Sequence, residues 1–440
     1  MTTLAASAPA SPGVAPKPWF GQPRGLTILF LTDMWEQFSY YGMRAILVYY
    51  MVGPLQLNQQ RASVVYGLYT AFVYFTPIFG GIISDRWLGR GRAVVIGGSI
   101  MALGHFMMAF EPLFYLALAT IALGNGLFLP SLPSQINGLY HPDDPRRHLA
   151  YNYYYVGVNL GGFLAPLGVG TVGELYGWHW GFTLAGFGMV TGLVIYLVGR
   201  RYLPADELDS TATRAQTSSP KDGKTFARFA LLGGIAAIAV IFRIAYEQVG
   251  NTLPLWIEHT QRHIGSFVIP MTWFQSLNPL LIFVLTPVFV SHWLRQANRG
   301  KEPSSIRKMA RGGLIVASAY LMLAGVAAWN DAHGTAAGWL WLVGFFIVLT
   351  TGELYILPIG LGLFGRLAPQ RYAATSIALW FLAAFAGNLA AGALGTLWSV
   401  LTAAQFFSLT AGMAILSAIG LLAFDQTVRR AFADGSTSKV

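Results

Sequence analysis

The fold class predicted here is an all-α membrane protein of twelve transmembrane helices, and three observations carry it. The chain of 440 residues is 55% hydrophobic and only 10% charged, where a soluble chain carries about 25% charge. Its mean hydropathy is +0.53. Apolar runs of about 20 residues, the length of helix that crosses a bilayer, recur along it. Finally, 24 of its 28 Lys and Arg fall in segments on one side of the predicted membrane.

The spans follow in order from that pattern. Residues 1–25 form a tail with Lys17 and Arg24. It lacks a basic start followed by an apolar core, so it reads as a disordered cytoplasmic tail and not a cleaved signal peptide. Apolar segments then run at 26–52, 63–84, 92–111, 113–137, 149–172 and 179–200. Arg86, Arg90 and Arg92 follow the second, and Arg146 and Arg147 follow the fourth. The stretch 201–226 is polar, Ser/Thr-rich and without periodicity, which predicts a flexible linker. A second set runs at 227–250, 267–294, 310–329, 337–365, 371–397 and 401–424, before a tail at 425–440. Six basic residues lie between Arg295 and Arg311. Only Arg61 and Arg262 fall outside, so the positive-inside rule puts both termini in the cytoplasm. The linker divides the helices into bundles at 26–200 and 227–424, with a central cavity expected between them.

The same distribution excludes several functions. The pI of about 9.7 reflects topology and is no nucleic-acid footprint. Cysteine is absent, which rules out disulfides and thiolate metal sites. The sequence has no P-loop, no metal-ligand spacing and no nucleophile–base arrangement. No enzyme activity and no cofactor are expected.

The first span breaks its own apolarity. Asp33, Glu36, Tyr40 and Arg44 fall within about 80° of one another on a helix. A charge at mid-membrane costs about 2.5–3.5 kcal/mol even on the lenient insertion scale. The stripe is therefore expected to face a polar cavity, either a solute pathway or a structural ion pair between helices.

Several runs resemble a known family. GGIISDRWLGRGR (Gly80 to Arg92) resembles the loop signature of the major facilitator superfamily, with Gly81, Asp85, Arg86, Gly89 and Arg90 as its marked positions. Glycines there permit close helix packing, and Asp85 with its arginines ties the loop to neighbouring helix ends. With the first span, it is similar to the proton-dependent oligopeptide transporter (POT) family. YNYYYVGVNLGG (Tyr151 to Gly162) resembles that family's fifth helix, and FRIAYEQVGNTL (Phe242 to Leu253) its seventh. QSLNP (Gln275 to Pro279) resembles the eighth, GELYILPIGL (Gly352 to Leu361) the tenth, and ALWFLAAFAGN (Ala378 to Asn388) the eleventh.

The resemblance implies roles, residue by residue. Asp33, Glu36 and Gln37 stand where the family has two glutamates followed by arginine, and Leu129 in GLFLP stands for its helix-four lysine. The cations implied to bind a peptide carboxylate are thus both replaced. Two close carboxylates resist double ionisation, so the Asp33–Glu36 pair is expected to hold a proton at neutral pH in at least one conformation. Arg44 and Glu247 lie about 27 Å and about 30 Å along their helices at 1.5 Å per residue, at matching heights. The resemblance makes them a gate, with Glu247 also in proton coupling. Arg243, one turn below, stands where the family has Trp. It pairs with Glu247 or reaches the cavity in place of the missing cations.

Glu353 is implied to meet a substrate ammonium, and Asn159 and Asn278 its backbone. Gln37, Tyr40, Tyr41, Tyr154 and Trp380 are implied to line substrate pockets. His105 reads as a packing residue. The expected function is proton-coupled symport of di- or tripeptides by alternating access. The alternatives are transport or export of a non-peptide, amine-bearing solute, and a non-transporting ligand sensor. Expected partners are a small-molecule substrate, protons and the lipid bilayer, with no nucleic acid. The chain is expected to act as a monomer in a bacterial inner membrane.

Overall fold

Runs this apolar fold as helices because a lipid-facing backbone must satisfy its own N–H and C=O groups. The computed structural model describes residues 21–141, 144–205, 225–367 and 373–436. The tail 1–20, most of the expected linker, Arg371 and the last four residues lie outside the described residues.

The N-terminal half contains α1 (Arg24–Val52), α2 (Gln59–Ile83), α3 (Arg90–Met107) and α4 (Phe114–Ser134). Next come α5 (Arg147–Ala165), α6 (Thr171–Tyr176) and α7 (Trp178–Gly199). The C-terminal half contains α8 (Thr225–Tyr246) with the short turns α9 (Gln248–Asn251) and α10 (Leu253–Glu258). A two-stranded hairpin, His263–Ile264 with Phe267–Val268, leads into α11 (Leu277–Asn298) and α12 (Ser305–His333). Then follow α13 (Trp339–Leu354), α14 (Leu357–Leu367), α15 (Ala373–Gly395) and α16 (Ala403–Ser436).

Ten helical spans among the described residues are long and apolar enough to cross a membrane. α1 and α3 stand outside that group. α1 carries Asp33, Glu36 and Arg44, and α3 is short and opens on Arg90 and Arg92. Both pack side by side with the others, α1 against α5 and α7, and α3 against α4 and α7.

Two expected spans carry internal breaks, and the last helix runs past its expected end. The seventh span breaks at Glu247, where Gly250 N donates to Glu247 O at 3.2 Å in a tightened turn. The tenth breaks after Leu354, because Pro358 has no N–H to give the Leu354 carbonyl. Ile356 N turns to Glu353 O at 2.9 Å instead. The last helix continues to Ser436, so much of the expected tail at 425–440 is helical.

The core divides with the chain. One buried cluster draws only on residues from Leu231 to Val428. Two others draw on residues from Leu26 to Tyr196, joined by Leu255 from the C-terminal half. The halves meet where α2 packs on α15 and α5 on α11. A methyl group built on Gly67 of α2 would lie 2.5 Å from the Gly392 Cα of α15, so only glycine permits this crossing. Hydrogen bonds between the halves, among the described residues, run from mid-span towards the end away from the arginine-rich loops. Gln59 Nε2 donates to Gly395 O at 2.8 Å, Gln275 Nε2 to Ala45 O at 3.1 Å, and Ser276 Oγ to Phe163 O at 2.8 Å.

Candidate functional site

A cavity of about 190 Å³ lies between the halves. α1 contributes Tyr41 and Arg44, α2 Tyr74, and α5 Asn159; α8 contributes Arg243 and Tyr246, α11 Asn278, and α13 Glu353. Two helix breaks deliver its acidic groups. Glu247 sits where α8 gives way to α9, and Glu353 one residue before the end of α13.

At one wall, Arg44 Nη2 meets Glu247 Oε2 at 2.7 Å across the interface, and Arg243 Nη1 meets Glu247 Oε1 at 3.0 Å. Glu247 is 3% exposed. Arg44 Nε donates to Tyr66 Oη at 2.7 Å, and the Arg243 guanidinium stacks 4.7 Å from the Tyr74 ring centroid. Arg243 therefore does both things open to it from the sequence, pairing with Glu247 and lining the cavity. The three groups carry one surplus positive charge.

Glu353 also lines the cavity, and it accepts from Tyr246 Oη at 2.8 Å and from Asn278 Nδ2 at 2.5 Å. Asn278 also donates to Thr350 Oγ1 at 3.1 Å. No Lys, Arg or His among the described residues comes within ion-pair distance of Glu353. The cavity is thus dipolar, with a surplus cation at Arg44/Arg243 and an unpaired carboxylate at Glu353. Asn159 lines it too, its Nδ2 spent on Tyr155 O at 2.9 Å.

Asp33 and Glu36 depart from expectation. Each is 2% exposed, and neither lines the cavity. Each has a hydrogen-bond partner: Tyr154 of α5 donates to Asp33 Oδ1, and Gln37 Nε2 donates to Glu36 Oε2 at 2.7 Å. Asp33 Oδ2 is buried with no hydrogen-bond partner among the described residues. Gln37, Tyr40 and Trp380 also stand outside the cavity wall. Tyr40 packs edge-on to Tyr41 at 5.3 Å, and Trp380 edge-on to Phe364 at 5.0 Å.

In the loop after α2, Gly89 has φ +77°, a conformation glycine adopts without strain. Asp85 is exposed and Arg90 half-buried, 3.8 Å apart, a separation that contributes little near solvent. Arg90 Nη1 reaches Ser134 O at 3.3 Å and ties the loop to α4. Arg86 is exposed. The glycine of close approach is Gly80, where a Cβ would fall 1.9 Å from Gly126 O; at Gly81 the nearest atom would be 3.6 Å away. His105 is buried in α3, away from the cavity.

Tyr74, Tyr246 and Gln275 belong to the cavity wall and were not singled out from the sequence. Tyr246 and Gln275 lie inside quoted runs, but nothing in a tyrosine or glutamine beside a motif marks which way it points.

The sequence profile described as the POT family matches residues 91–219 and 212–411. A di-/tripeptide transporter of Lactococcus lactis subsp. cremoris is 32% identical, covering 95% of this chain and 98% of its own. The peptide transporter YePEPT of Yersinia enterocolitica is 32% identical, covering 86% and 88%. Among solved structures, that of the peptide transporter POT in complex with sulfate superposes with a TM-score of 0.86 at 29% identity, covering 94% of this chain and 97% of that one. The chain, a multi-pass membrane transporter of the major facilitator fold and not an enzyme, belongs to the POT family.

Proposed function

We propose that this chain is a proton-coupled symporter of di- or tripeptides working by alternating access between two six-helix bundles, 26–200 and 227–424. It sits as a monomer in a bacterial inner membrane with both termini inside. The observation that carries the reading is the dipolar cavity. A peptide is a zwitterion, and the surplus charge at Arg44/Arg243 and the cation-free Glu353 carboxylate offer its two ends opposite partners.

In this scheme Arg243 takes the peptide carboxylate, standing in for the arginine and lysine replaced by Gln37 and Leu129. Glu353 takes the ammonium, and Asn159 and Asn278 turn to the peptide bond. Charge-assisted contacts of this kind contribute about 1.5–3 kcal/mol each. Tyr41 faces the side chains; Tyr40, Gln37 and Trp380, outside the cavity wall here, join it when the helices move.

Asp33 and Glu36 carry the proton. Two buried carboxylates a turn apart, with no cation in contact among the described residues, are stable only when they share one. Arg44 and Glu247 close the outer face, and the interface bonds at the end away from the arginine-rich loops support an outward-closed state. Protonation of Glu247 or substrate drawing off Arg243 weakens that seal.

The test is equilibrium binding of dialanine against dialanine amide and a simple amine. The reading expects dialanine to bind at least tenfold more tightly than either. The second reading, an amine-bearing non-peptide solute, is favoured by Glu353 facing the cavity without a cation. Equal affinity for the amine would support it instead.

A further inference from the structure

The outer seal has a component that belongs neither to the Arg44–Glu247 pair nor to the cavity. Glu174 lies near the end of the fifth span, in α6. Its side chain crosses to the other half. Oε2 accepts from the backbone N–H of Met271 at 2.9 Å. Oε1 accepts from Thr272 N–H at 2.8 Å and from Thr272 Oγ1 at 2.7 Å.

Met271 and Thr272 open the 3-10 turn Met271–Ser276 after Pro270, just ahead of α11. The first N–H groups of a helical turn have no partner within it. A side chain of the same strand of chain ordinarily fills that need; here a carboxylate from the opposite half does. It also places negative charge at the positive end of the helix dipole.

The surrounding contacts hold the same two spans together. Trp273 Nε1 donates to Thr171 Oγ1 at 2.7 Å, and Thr272 Oγ1 lies 3.3 Å from Pro166 O. A Cβ at Gly170 would fall 2.2 Å from Thr272 Oγ1, so the helices close here only because residue 170 has no side chain.

We propose that Glu174 is a second latch of the outer face, a positioning residue that ties the fifth span to the start of the eighth independently of the Arg44–Glu247 tie between the first and seventh. The inference rests on the alternating-access reading above. All three bonds at Glu174 must break when the halves part at that face, and water then takes over the freed N–H groups. The latch biases the resting population towards the outward-closed state without touching substrate.

The chain has no cysteine, so a cysteine placed at Ile282, which lines the cavity, is the sole thiol. Its labelling by a membrane-impermeant thiol reagent is followed from outside in intact cells and from inside in inverted vesicles. On that background, Glu174→Ala is expected to raise outside labelling about tenfold, the scale of one lost charge-assisted hydrogen bond, and to lower inside labelling. Glu174→Gln raises it less, because the amide oxygen still accepts from Thr272. General loosening of the fold would instead move both rates in the same direction. Thr272→Val removes only the hydroxyl donor and keeps the test alive should Glu174→Ala fail to fold; a smaller rise from outside is expected.

Outside labelling that rises in Arg44→Ala but not in folded Glu174→Ala or Thr272→Val overturns the latch alone. No rise in any of the three overturns alternating access with it. Parallel rises from both sides also overturn the latch.

Discussion

Arg44 and Glu247, 203 residues apart in sequence, meet at 2.7 Å across the interface between the two halves. The second oxygen of the same carboxylate holds Arg243 at 3.0 Å. One acid therefore serves two arginines, and the two sides of the pair are unequal. Arg44→Ala leaves Arg243 to compensate Glu247, whereas Glu247→Ala leaves two buried guanidinium groups facing each other. Uncompensated buried charge costs about 3–5 kcal/mol, so Glu247→Ala is expected to lower the melting temperature in detergent well below that of Arg44→Ala. Equal melting temperatures would contradict the shared-carboxylate account.

Arg243 is expected to hold the substrate carboxylate. Arg243→Trp, which puts back an aromatic side chain, is expected to weaken dialanine binding by about 10- to 100-fold, as losing a hydrogen bond to a charged group does. Dialanine amide, with no carboxylate to lose, is expected to bind equally to both forms. Unchanged dialanine affinity in the variant would show that Arg243 serves Glu247 alone.

Glu353 supplies the other end of the dipole. Glu353→Gln keeps the hydrogen bonds from Tyr246 and Asn278 within reach and removes the charge. Dialanine affinity is expected to fall about tenfold or more, while N-acetyl-alanylalanine binds the two forms alike. Competitive binding with the two ligands checks both expectations.

If Asp33 and Glu36 carry the proton, as proposed, their variants are expected to separate proton coupling from movement of substrate. Glu36→Gln or Asp33→Asn leaves the cavity wall intact, since neither residue lines it. Gradient-driven uptake is expected to fall to roughly a tenth or less, on the scale of a lost essential charge-linked step, while exchange of internal for external peptide persists. If uptake stays fully gradient-driven in both variants, the proton is carried elsewhere.

Much of this arrangement was legible in the residues themselves. The apolar spans and the charge asymmetry of their loops follow from the physics of the bilayer. The Arg44–Glu247 meeting was implied by the family resemblance, and their equal heights on two helices allow it. The breaks at Glu247 and Leu354 escaped because hydropathy averages over a span and cannot register one unpaired carbonyl; Pro358 was the local signal for the second. Asp33 and Tyr154 both stood in noted runs, yet their contact joins α1 to α5 and has no trace in either segment. Glu174 was hidden more deeply, because its partners are chiefly backbone N–H groups, which no residue type announces.

The most direct test of the central claim is uptake of labelled dialanine into liposomes holding the purified protein, with an inward proton gradient and with that gradient collapsed. The account predicts accumulation above the external concentration only with the gradient, reduced by Glu36→Gln and by Arg243→Trp. Folded protein that accumulates no dialanine under either condition would contradict it.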